Sequence, residues 1–188
     1  NALPTNRPTG RPTLPRPLVW LPLPALWQVL ALPTTARGAD LAPFVLPADA
    51  RPVNVWSVAT LLADPSQQWG VQDARARLPE FAEPPSRGGS LGVRKEAIWL
   101  RVPLMSRVAS GNEWIVNIDF AVLNEVDIYL TKQGQLIQHA APGNLRPYSE
   151  RPLRGRTPAM TLDLAADTPY ELLVRVQTSG AMILPITL

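Results

Sequence analysis

The residues best suited to chemistry are few, and what they lack is as informative as what they offer. There is one histidine, His139, and no cysteine. A thiol nucleophile, a Cys-ligated zinc, an iron–sulfur cluster, a disulfide framework and a His-rich metal centre are excluded together. A Ser-His-Asp triad would have to pass through His139, and no G-x-S-x-G elbow presents a nucleophile to it. His139 therefore reads as a surface or loop histidine, and no cofactor is expected. Asp119, Asp127 and Asp163 could bring two carboxyl groups to a glycosidase separation, a rival that depends on the fold and not on spacing. Gly88-Gly89-Ser90-Leu91-Gly92 lacks the Lys-Ser/Thr of a phosphate loop and reads as a flexible turn.

What remains is a set suited to binding: Trp99, Arg101, Asp127, Tyr129 and Arg175. Trp and Tyr faces stack on the C–H patches of a sugar, Asp and Arg meet its hydroxyls, and an Arg fork holds a carboxylate through two parallel bonds. The alternative is structural: a core Trp, with Arg101, Asp127 and Arg175 pairing across neighbouring strands. Arg146, Arg151, Arg154 and Arg156 form a second cluster, interleaved with prolines. It reads as an anion- or lipid-headgroup-facing loop, or as a solvated loop whose arginines pair with Glu150 and other acids.

Strands must position the first set. Even positions are apolar through Ile98, Leu100, Val102 and Leu104, and again through Trp114, Val116, Ile118 and Phe120. Val126, Ile128 and Leu130 repeat the period of two, as do Met160, Leu162 and Leu164, then Leu172, Val174 and Val176. Such alternation predicts strands with one face in a core and one face wet, which places Trp99, Arg101, Asp127, Tyr129 and Arg175 outward. Gly, Asn, Asp and Pro clusters separate the runs, as in an antiparallel all-β sandwich. Before Ala97, Val53–Val58 is expected to be a strand and Gln68–Leu78 a short helix. Ile183–Leu188 is expected to be a last strand.

The charge is unevenly placed. Of the formal +3, residues 1–39 carry +4 through Arg7, Arg11, Arg16 and Arg37, which leaves residues 40–188 at −1. A folded part without basic excess is a poor nucleic-acid binder. The first 38 residues have the layout of an export signal or disordered leader: three arginines, an apolar run from Leu18 to Leu32, then small residues Ala36 and Gly38 before cleavage near Ala39. Pro22, Pro24 and Gln28 make that run unsuited to spanning a membrane. Residues 39–188 are then the folded domain.

Five motifs in order carry a resemblance. Leu91–Leu104, with its core Trp99-Leu100-Arg101, resembles the Trp-Leu-Arg strand of the second type of extracellular module in seven-transmembrane receptors with diverse intracellular signalling modules. Trp114-Ile115-Val116, Glu125–Leu130, Pro142-Gly143 with Tyr148–Pro152, and Leu173–Gly180 resemble its following segments. Gly143-Asn144 departs from the frequent Gly-Asp. The resemblance spans about residues 45–188. It implies a jelly-roll sandwich similar to carbohydrate-binding modules, held in the periplasm. It implies a non-enzymatic sensor of an unidentified small ligand, a sugar or a carboxylate, or of a periplasmic protein. Membrane helices and an output such as a histidine kinase or diguanylate cyclase would follow in the same chain. Arg151, in the family's Arg-Pro, is implied to have a fixed structural or binding role. The rivals are a protein-interaction or dimerisation module and, further off, a glycan-cleaving enzyme.

Overall fold

A computed structural model of the chain describes residues 41–49, 51–86, 88–108 and 114–188. The export-signal reading falls on residues 1–38, outside the described residues. In chain order the elements are β1 (Phe44–Leu46), β2 (Thr60–Asp64), α1 (Val71–Ala76), β3 (Ser90–Val93), β4 (Ala97–Ser106), β5 (Trp114–Ile118) and β6 (Glu125–Lys132). β7 (Gln135–Ala140), β8 (Ala159–Leu162), β9 (Thr168–Gln177), β10 (Ala181–Ile183) and β11 (Ile186–Thr187) complete them. The protein is all-β, with α1 its one α-helix among the described residues.

The period-two runs build the main sheet, ordered β1-β4-β9-β6-β7 with β2 beside β4. Its centre is antiparallel and in register, Ile98 opposite Val176 and Val176 opposite Val126. β2 covers the first half of the free edge of β4 antiparallel, and β1 covers Leu104–Ser106 in parallel. Gln133 and Gly134, both at positive φ, turn β6 into β7. A two-residue turn of that kind matches the right-handed twist of the strands it joins.

Two smaller sheets, β11-β5-β8 and β10-β3, share one core with the main sheet. The even positions of β4, β6 and β9 meet Trp114, Val116, Ile118, Met160 and Leu162 there. Each such fully buried aliphatic side chain contributes about 1.5–3 kcal/mol of burial. Pro142-Gly143 closes the β7–β8 connection against β6, where a Cβ on Gly143 would lie 2.5 Å from the Asn124 carbonyl oxygen. Only glycine fits that approach.

Four local expectations change. Val53–Val58 makes a single bridge, Asn54 to Thr187, and then curls into a 3-10 turn at Trp56–Val58. The Asn54 carboxamide oxygen accepts the Trp56 N–H at 2.9 Å, a local bond that competes with extended pairing. The helix expected over Gln68–Leu78 is shorter, because Asp73 accepts the Gly70 N–H and starts it at Val71. A 3-10 turn follows at Leu78–Glu80. Gly88–Gly92 is expected to be a turn, but Ser90–Val93 is strand β3. The last strand is divided at Leu184-Pro185, with β10 and β11 in different sheets, since proline brings no N–H to a ladder. After the break, Leu188 and Val53 exchange both main-chain hydrogen bonds, at 2.8 and 2.9 Å.

Candidate functional site

Trp99, Arg101, Asp127, Tyr129 and Arg175 do share one face of the main sheet. Trp99 lies opposite Arg175, which lies opposite Asp127; Arg101, Leu173, Tyr129 and His139 form the neighbouring row. The face is only partly wet. α1 and the Leu78–Glu80 turn cover it, and Trp99 (0% exposed), Leu173, Ala74 and Phe81 form a second core with Leu62, Trp69, Val71, Leu78 and Tyr129 around it. The physical reason is on the strands themselves. Trp99, Leu173 and Leu62 are apolar on the supposedly wet side, and α1 needs an apolar surface of its own. β4 and most of β9 are therefore buried on both faces.

The charged members are paired. Arg101, 3% exposed, donates to Glu171 through Nε at 2.9 Å and through its terminal nitrogen at 2.6 Å. Arg75 of α1 reaches the same carboxylate at 3.9 Å and donates to the Gly134 carbonyl at 2.6 Å. Arg175 sits beside Glu125 (3.4 Å) and Asp127 (3.7 Å), and donates to the Gln67 carbonyl at 2.9 Å. Asp127 also meets His139 Nε2 at 3.1 Å.

Three rings stack across these rows. Trp99 and Tyr129 have centroids 5.7 Å apart, and Tyr129 and His139 4.4 Å apart at 8°. Burial, and then the charge of Asp127, push the Tyr129 phenol up to about 12 despite Arg175. The inner end is closed, and the Trp99 indole N–H has no partner there. The outer end is open: the His139 side chain is 41% exposed.

The cover is held in place by Asp64, itself fully buried. Its carboxylate accepts the Ser66 N–H and O–H, the Gln67 N–H and the Trp69 N–H, at 2.6–3.0 Å. Burial pushes the Asp64 carboxyl up, but these donors outweigh it and hold it below the ordinary 3.8. A depressed carboxyl contributes stability above its unfolded value, and that contribution is lost as pH falls through its folded value. Asp64→Ala is expected to cost about 1–3 kcal/mol. In urea titrations the gap between wild type and variant should be constant above about pH 4 and shrink below it. A gap independent of pH would remove the carboxylate from this role.

Arg151 lies away from the strand face, in the β7–β8 connection. It donates to the Gly155 carbonyl at 3.2 Å and stacks 5.5 Å over the Tyr148 ring. The expected pairing of this arginine cluster with Glu150 is not made: among the described residues, Arg146, Arg154 and Arg156 form no ion pair. Their loop is exposed and proline-rich.

The family model described as 7TMR-DISM extracellular 2 matches residues 57–188, most of the chain. The chain belongs to this family. No curated protein gives a match. As a 7TMR-DISM extracellular 2 domain, the protein is the extracytoplasmic, periplasmic sensor part of a membrane receptor. No described helix is long and apolar enough to cross a membrane. The Trp-Leu-Arg motif of this 7TMR-DISM domain is β4, where Leu100 enters the main core while Trp99 and Arg101 face the cover. The sequence does not mark Glu171, Glu125 or Gln67 as site residues, and His139, read from it as a surface or loop histidine, is an exposed residue of β7. For Glu171 and Glu125 the signal was present, as odd positions of β9 and β6 beside Arg101 and Arg175. Gln67 comes from a loop, and nothing local announces it.

Proposed function

We propose that this domain, exported by its leader, is a non-enzymatic jelly-roll sensor that binds a small saccharide at the outer end of the Trp99–Tyr129–His139 stack. The single observation that carries the reading is that this stack ends in an exposed imidazole beside the Asp127 carboxylate. A sugar ring would lie on the free side of His139, with its hydroxyls donating to Asp127 and Glu125. Trp99 of β4 stacks on Tyr129, Arg175 meets Asp127 and Glu125, and Arg101 is tied to Glu171 on the same face. A carboxylate ligand is disfavoured over a sugar, since Arg175 already faces two carboxylates. Arg151 shapes its own loop in this reading and does not touch the ligand. Binding becomes a signal only if the receptor's two states differ in affinity for the sugar.

The test is isothermal titration of the 188-residue chain with neutral mono- and disaccharides. Binding that falls at least tenfold in His139→Ala, with folding intact by circular dichroism, is the expected result. If no saccharide binds, or His139→Ala binds as well as wild type, the proposal fails.

A dimerisation module is the second reading, favoured by Leu136 and Ile137, both 46% exposed on the edge strand β7. Exposed apolar edges are templates for pairing with another chain. Sedimentation velocity separates the two: a dimer that Leu136→Lys dissociates supports this reading, and a monomer at all concentrations removes it.

A further inference from the structure

On the far edge of the main sheet, a groove of about 700 Å³ opens between β1, the Trp56–Thr60 segment and the loop around Glu83. That volume is in the range of small-molecule sites, which combine apolar walls with a few polar groups. Its walls follow that pattern. Phe44, Trp56, Val58, Pro84 and Pro103 give the apolar surface, and Ser57, Thr60, Glu83 and Ser86 supply the polar groups.

Three features define what would fit. The Trp56 indole N–H is already engaged, donating to the Ser86 carbonyl at 2.5 Å. Its ring, and not its donor, is what Trp56 leaves for a ligand. Thr60 is only 9% exposed, and its hydroxyl oxygen is buried in the wall, out of a ligand's reach, which leaves Glu83 as the groove's charged contact. Glu83 is exposed, and no described residue forms an ion pair with it. Among the described residues, no lysine, arginine or histidine lines the groove.

We infer that this groove is a binding site for a small organic ammonium compound with an apolar body. The ammonium meets the Glu83 carboxylate, while the apolar body covers the Trp56 ring and the prolines. A cation is attracted to the indole face as well as to the carboxylate. An anion of the same shape would meet Glu83 with no compensating charge among the described lining residues. The inference does not depend on the saccharide proposal, which concerns the opposite edge of the sheet.

The probes are tryptamine, tryptophol and indolepropionate, which share a bicyclic body and differ in charge. Each is titrated into the nitrogen-labelled 188-residue chain, with the indole resonance of Trp56, assigned through Trp56→Phe, as the local reporter. Tryptamine is expected to bind and move that resonance, tryptophol to bind about tenfold more weakly, and indolepropionate not to bind. Glu83→Gln should weaken tryptamine about tenfold and leave tryptophol unchanged. Thr60→Val, which keeps the side-chain shape and removes only a hydroxyl closed off from the groove, should leave tryptamine binding unchanged. Indolepropionate binding as well as tryptamine, equal binding of tryptophol, or tryptamine binding unaffected by Glu83→Gln would overturn the inference. So would a Trp56 resonance that does not move. His139→Ala should leave tryptamine binding intact, and its loss there would show that the groove is not a separate site.

Discussion

Trp99→Ala is expected to destabilise the domain by about 3–5 kcal/mol, the range for truncating a buried aromatic side chain. Trp99 is fully buried between the main sheet and its cover, against Phe81, Leu173 and Ala74, and it forms the inner end of the ring stack. The cavity would open beneath α1, a helix of six residues that is too short to persist without tertiary packing. Trp99→Phe is the control. It retains most of the apolar contact and removes an indole N–H that has no partner, so its cost should be well under half that of alanine. Urea unfolding followed by far-ultraviolet circular dichroism measures both. A loss below about 1 kcal/mol for Trp99→Ala would mean that the cover does not rest on this residue.

Glu171→Ala should have an effect of similar size, about 3–5 kcal/mol, because it removes the carboxylate that two nitrogens of the buried Arg101 guanidinium meet. It also removes the carboxylate beside Arg75, and with it one tie between α1 and the sheet. The cycle with Arg101→Met and the Arg101→Met/Glu171→Leu double variant is the informative measurement. Breaking a buried pair from one side costs much more than replacing both partners with apolar groups. The double variant should therefore recover most of the loss. If it is as unstable as Glu171→Ala, the pair is not the source of the effect.

The alternation of β4, β6 and β9 was legible in the sequence because a strand reports its side-chain pattern directly. Leu100, Val102, Ile128, Leu130, Val174 and Val176 are all in the main core. The other face was harder. Trp99 and Leu173 lie at odd positions among Arg101, Asp127 and Arg175, and a period of two cannot say whether an apolar residue there is a ligand platform or the seat of a helix. The deciding partners come from residues 64–82, where the apolar residues are scattered over a loop, a short helix and a 3-10 turn. Val53–Val58 shows the same limit: its composition suits a strand, but one Asn54 side-chain bond turns it. The groove was invisible for a related reason. Phe44, Trp56, Glu83 and Pro103 come from four separate segments, and only the fold brings them together.

The double hydrogen bond between Val53 and Leu188 has a mechanical consequence. Val55 and Ile186 continue the same contact at 3.2 Å, so the backbone at Leu188 runs beside the segment that carries Trp56. Bonds arranged side by side along two antiparallel strands share a lengthwise load, and sliding must break them together. Tension applied at Leu188 is thus shared between β5 on one side and Val53 and Val55 on the other, and the latter pass their part along the chain to the wall of the groove. The joint acts as a tether between the end of the last strand and the indole ring.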